Sequence, residues 1–349
     1  TRSLYPNGSA TSASYTSLSA ALTPTFDTYT ATADGFTAIL RNYDGTNYTW
    51  NATSSKAAGT ATISVSGGVA TLSICNVRES SLARESDLVL YTNAGPEIGV
   101  ASTKAFTTQL TMLYMLAVQL GEIRGTITKE YAKELATDLM HLPHLVDQTL
   151  RLENKVEEIA QSFQDHPFFF YMGRDCLYPI ALEGALKLKE ISYAHAEGYP
   201  AGELKHGPIA LIDRQAAVIV LAPRNKAPET QTDLNDFDHN ILFDKILSNL
   251  QQVKARGGQI LTVGSEEDSL FPKESKYFIG LPKCSWALNP ILTTLPLQLL
   301  AYHIASLRGT DVDKPRNLAK SVTVEIGKST RLNSSHGYIS YAVFCLKKK

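Results

Sequence analysis

The sequence predicts an α/β fold, a parallel sheet with helices on both faces, preceded by a short β-rich segment. From Leu72 onward, continuous apolar runs of strand length alternate with longer amphipathic stretches, the pattern of a sheet buried on both sides. The composition changes abruptly near residue 72: before it about a third of the residues are Ser or Thr, Glu is absent, and Lys56 is the only lysine. In that first stretch apolar and polar residues alternate, as in Phe36-Thr37-Ala38-Ile39, between turn pairs such as Asp44-Gly45 and Gly67-Gly68. Short alternating strands between turns describe an antiparallel sheet, part of a small sandwich.

Taken in order, the strands of the second part are expected at 72–77, 88–91, 168–172, 217–221, 260–263 and 277–279. Helices are expected at 103–120, 129–162, 180–193, 241–256 and 291–307, the second of them breaking near Pro143. Sheets of this kind bind ligands beyond the carboxyl ends of their strands. Residues 226–239 are acidic and poor in helix signals, a surface loop.

Composition excludes several classes. A net charge of −1 gives no reason to expect nucleic acid or an anionic membrane as partner. No run of 18 apolar residues marks a bilayer span, and no signal peptide opens the chain. Thr1 stands where an initiator Met would, which reads as a broken-off start. Cys75, Cys176, Cys284 and Cys345 are widely separated, so neither a metal site nor a disulfide framework is expected, and buried thiols in a reducing compartment are. The triplets at Asn47 and Asn51 match glycosylation acceptors, which fits an exposed surface for the first segment.

Four clusters carry possible chemistry. In the first, Thr92 to Phe106, a loop rich in small residues runs into a helix capped by Ser102 or Thr103, whose free amides favour an anion or a sugar hydroxyl. In the second, a helix after Gly173-Arg174 places Glu183, Lys187 and Glu190 at i, i+4 and i+7, on one face. A solvated ion-pair face is the plain reading of that spacing. The third is a loop from Ala194 to Pro208 with three glycines, His195 and His206. Such loops on rigid scaffolds carry function more often than core segments do. The fourth is a polar tail, 309–325, ending in Leu318-Ala319-Lys320-Ser321-Val322, which can fold over a site as a lid.

The runs EIGVASTKAFTTQL at 97–110, YPIALEGALKLKEISY at 178–193, AGELKHGP at 201–208 and PRNLAKSVTVE at 315–325 resemble, in this order, the glutamine–fructose-6-phosphate aminotransferase (isomerising) family. That resemblance implies a cytoplasmic enzyme converting fructose 6-phosphate and glutamine-derived ammonia into glucosamine 6-phosphate without a cofactor, as a homodimer. It also implies two sugar-isomerase (SIS) subdomains. Glu190 is then the residue moving a proton between C1 and C2, and Lys187 is an essential partner near the substrate. His206 is the acid/base that opens the sugar ring, reached from a neighbouring subunit, and Lys320 forms a Schiff base with the open ketose. Val100, Ser102 and Ala319 are sugar contacts.

The family's glutamine-hydrolysing domain and the Ser/Thr-rich phosphate loop of its first subdomain have no counterpart in these 349 residues. The reading is therefore an impaired isomerase-domain fragment joined to an unrelated, Ig-like segment. A non-catalytic sugar-phosphate sensor on the same fold is the alternative, and a surface or adhesion module has only residues 1–72 behind it. The expected division is 1–72 β-rich, 73–162 first subdomain, 163–308 second subdomain, 309–325 lid and 326–349 a translated adapter sequence.

Overall fold

In the computed structural model, residues 71–223 and 242–319 are described in full, with 239–241 and five strand segments between 25 and 70 described as backbone. Residues 226–238 of the acidic segment, Lys320 and the rest of the expected lid to 325, and the stretch 326–349 with Cys345 lie outside the described residues.

The first sheet has the order β1-β2-β5-β6. β1 (Thr25–Thr32), β2 (Gly35–Arg41) and β5 (Val69–Cys75) are antiparallel neighbours, and β6 (Leu88–Tyr91) adds in parallel to β5. A separate antiparallel pair joins β3 (Tyr48–Ser54) to β4 (Ala57–Ile63). The compositional change at residue 72 thus falls inside β5, whose Leu72, Ile74 and Cys75 are buried.

The second sheet is wholly parallel in the order β11-β10-β9-β7-β8. Its strands are β7 (Phe168–Gly173), β8 (His195–Pro200), β9 (Ala216–Ala222), β10 (Gln259–Ser265) and β11 (Tyr277–Leu281). Side chains alternate between two cores, as a pleated strand requires. Phe169, Tyr171, Ala217, Ile219 and Leu221 point into one, with Phe170, Met172, Val218 and Val220 in the other. Every residue of β9 is buried, so the sheet is covered on both faces.

The helices follow from their apolar patterns. They are α1 (Ser81–Glu85), α2 (Lys104–Ile123), α3 (Lys129–Leu150), α4 (Glu153–Phe163), α5 (Leu177–Ser192), α6 (His239–Lys254), α7 (Phe271–Glu274) and α8 (Asn289–Leu307). α6 and α7 cover the second core through Phe243, Ile246, Leu250 and Phe271. α4, α5 and α8 cover the first, and α2 and α3 add Phe106, Leu110 and Leu142 to the same core. Trp286–Leu307 is long and apolar enough to cross a membrane, yet 67% of its most apolar window is buried inside the protein. A helix this apolar and mostly buried against the rest of the protein reads as a core helix.

Two expectations fail here. The second helix does not break at Pro143 but runs through it to Leu150 and restarts at Glu153. Leu142 is buried, and Leu139, Leu145 and Val146 pack on the same core, so burial on both sides of the proline outweighs one missing N–H. The stretch 194–208 is not all loop, since its first part forms edge strand β8, where Phe168 pairs with His195 and Gly173 with Pro200. A polar sequence with Gly198 and Pro200 hides a strand that is wetted along one edge.

Candidate active site

α5 brings the second cluster together. It packs against α8 and β7, and Gly184 is the contact point: a Cβ there would lie 2.7 Å from Leu297 and 2.9 Å from Tyr171. The polar face of this tightly packed helix lies inside the protein. Glu183 is 1% exposed, Lys187 5% and Glu190 8%, so the expected solvated ion-pair face is a buried charge cluster. Lys187 Nζ lies 2.5 Å from Glu190 Oε2 and 3.7 Å from Glu183 Oε1.

Burial alone would lower the ammonium pKa of Lys187, but the carboxylates of Glu183 and Glu190, the Glu190 hydrogen bond and Glu97 outweigh it and raise the pKa. Lys187 is therefore a cation at neutral pH. It donates hydrogen bonds and stabilises negative charge, and it is no nucleophile.

Lys187 lines a cleft of about 310 Å³. The other walls are the loop leaving β6 (Glu97, Gly99, Ala101, Thr103), one side of α8 (Leu295, Gln298, Tyr302) and the tail residues Val312 and Asp313. The loop is tied to both neighbours: Gln298 Nε2 donates to the Thr103 carbonyl at 3.1 Å, and Val100 N donates to the Asp313 carbonyl at 2.9 Å.

Neither Ser102 nor Thr103 caps α2 through its side chain as expected. Thr103 is the cap residue but makes no side-chain cap bond, and Glu97 Oε1 accepts instead from Thr103 N at 2.7 Å and Ala105 N at 3.3 Å. The protein's own carboxylate occupies part of the anion seat at this helix start.

The other expected residues are dispersed. Val100 and Ser102 are half-buried beside the cleft residues of their loop, and Ala319 is exposed at the end of the described tail. His206 is exposed on a short 3₁₀ turn, Glu203–His206, and is not among the residues lining the cleft. His195 is also exposed, 3.5 Å from Glu197. Glu97, Gln298 and Asp313 received no role from the sequence. Glu97 opens a conspicuous motif, whereas Gln298 and Asp313 reach the site only by tertiary packing. Among the described residues Cys75, Cys176 and Cys284 form no disulfide. Burial, with help from Asp175 and Asp138 respectively, pushes the Cys176 and Cys284 thiols up to about 12, so neither is a thiolate nucleophile at neutral pH.

A doubly covered parallel sheet, with a polar cleft between a second sheet's loop and a buried Glu-Lys-Glu helix, defines an α/β protein of the sugar-isomerase type. The sequence pattern of the SIS domain matches residues 52–119 and 164–240. The chain is 51% identical over 259 residues to a glutamine–fructose-6-phosphate aminotransferase (isomerising) from Pseudomonas putida, covering 74% of this chain and 40% of the relative. The Escherichia coli enzyme of the same name is 49% identical over the same shares. The C-terminal domain of glucosamine-fructose-6-phosphate aminotransferase from Francisella tularensis superimposes with a TM-score of 0.62 at 41% identity, covering 70% of this chain and 65% of that one. A tagatose-6-phosphate ketose/aldose isomerase-like structure from Clostridium novyi, at 19% identity and a TM-score of 0.57, shares the fold. The chain carries SIS-domain sequence and is similar over 74% of its length to glutamine–fructose-6-phosphate aminotransferases (isomerising), and it spans about 40% of the length of the curated relatives it matches.

Proposed function

We propose that this chain carries the isomerase site that makes glucosamine 6-phosphate from fructose 6-phosphate and ammonia, with release of water, working in the cytoplasm. The observation that carries this reading is the buried Glu183-Lys187-Glu190 cluster opening through Lys187 onto the cleft. Glu190, hydrogen-bonded to Lys187, is the base that moves the proton between C1 and C2. Lys187, kept charged, stabilises the negative charge that develops on the enediol oxygens. Val100 and Ser102 contact the sugar from the loop and Ala319 from the tail. Lys320, one residue beyond the described tail, forms the Schiff base with the open ketose. His206 is the ring-opening acid/base, supplied by a second copy of the chain as the resemblance implies, so the active unit is a homodimer.

Binding is weak in this reading. Residues 1–72 contain no counterpart of the family's Ser/Thr-rich phosphate loop, and each charge-assisted hydrogen bond lost costs roughly 1.5–3 kcal/mol. Losing several lowers affinity by about a thousandfold. Titration with fructose 6-phosphate by ligand-observed NMR and calorimetry tests this. A millimolar Kd is expected. A micromolar value contradicts the impairment, and no binding at any concentration contradicts the site itself. In the alternative, a non-catalytic sugar-phosphate sensor, binding persists while proton exchange is absent.

A further inference from the structure

We propose that Tyr193 and Arg316 are positioning residues: a two-part pin that holds residues 309–319 in place as the outer wall of the Lys187 cleft. The proposal rests on the reading of that cleft as a sugar-phosphate site and assigns work to two residues given none above.

Tyr193 ends α5 in the left-handed region, at φ 59°, a position where Gly or Asn is the cheaper residue. Its side chain is committed to the tail. The phenol oxygen accepts from the backbone N–H of Arg316 at 2.7 Å, and the Arg316 guanidinium lies 4.2 Å above the ring, within cation–π range.

Upstream, the tail is anchored where α8 ends. Arg308 donates to the carbonyls of Gln164, His166 and Ser192, and Thr310 Oγ1 donates to the Ile191 carbonyl at 2.6 Å. Between these two anchors Asp311 folds the chain over, its Oδ1 accepting from Asp313 N and Lys314 N. That turn presents Val312 and Asp313 to the cleft and the Asp313 carbonyl to Val100 N. The strap thus crosses from the helix carrying Lys187 and Glu190 to the loop carrying Val100 and Ser102, and Tyr193 stands three residues beyond Glu190. The pin sets the spacing between these two walls.

Hydrogen–deuterium exchange on the full chain tests this, comparing wild type with Y193F, Y193G, R316A and the Y193G/R316A double variant. Tyr193→Gly separates the two roles open to the residue. Glycine relieves the left-handed backbone, so a residue that only caps the helix leaves the strap unchanged or better protected. The pin instead requires exchange in 311–319 and at Val100 to rise about tenfold, with β9 unaffected. Arg316→Ala should do the same, Y193F should fall between, and the double variant should be no faster than Y193G alone. Unchanged exchange at Val100 in Y193G or R316A, or additive effects in the double variant, overturns the proposal. Fructose 6-phosphate is then added: slower exchange at Val100 in wild type than in the variants supports the pin as a cleft-positioning device. If the sugar phosphate slows no variant while the ligand-free pattern holds, the functional reading of the cleft fails and the pin survives.

Discussion

Lys187 is buried between two carboxylates at the edge of the cleft, and this sets what substitution does. Removing the cation leaves Glu183 and Glu190 buried without their counter-charge, so Lys187→Ala should cost about 3–5 kcal/mol in urea unfolding. Glu190→Gln keeps a hydrogen-bond acceptor for Lys187 and should cost much less while abolishing proton transfer. The sign of the pH dependence follows from the raised Lys187 pKa. Its contribution is complete below the unfolded lysine value of about 10.4 and is lost only as pH rises through the higher folded value. Thermal melts should therefore show no loss from this group between pH 7 and 10, and the difference between wild type and K187A should shrink only in stronger alkali. The spacing of Glu183, Lys187 and Glu190 was legible in the sequence as one helix face. Their burial was not, because it depends on tertiary packing between distant segments, as where Gly184 meets Leu297 across 113 positions.

At the scale of elements, the contact of α5 with α8 and β7 helps keep the charge cluster buried. Gly184→Val should overpack this contact, costing about 1–3 kcal/mol despite the better helix propensity of valine over glycine. Leu297 and Tyr171 are both buried and have little room to yield. Denaturant titration measures it, and an unchanged or raised stability would show that α5 and α8 are less tightly joined than the structure indicates. Apolar continuity made most elements readable: β6 lies at Leu88–Tyr91 as expected, and β7, β9, β10 and β11 each enclose the expected run. β8 was missed because its polar alternation with glycine and proline resembles a loop, and Pro143 misled because a local breaker says nothing of the burial around it.

Across the whole molecule, α4 belongs with the body it covers. Val156, Ile159, Ala160 and Phe163 are buried in the core shared with α8 and β11, so a boundary at residue 163 strips that core of one wall. A polypeptide of residues 153–319 should unfold cooperatively, whereas one of residues 164–319 should bind a hydrophobic dye and melt broadly. Equal cooperativity in the two would show that α4 is dispensable. The cleft itself draws on the loop after β6, α5, α8 and the tail, and this convergence of distant segments is what short motifs could suggest only as family resemblance. The account stands or falls on whether that cleft moves a sugar proton. Fructose 6-phosphate at saturating, tens-of-millimolar concentration in D₂O, followed by NMR, measures it directly. The account predicts deuterium incorporation at C1 with wild-type protein and none above background with E190Q; incorporation that is absent from wild type, or equal in the two, would contradict it.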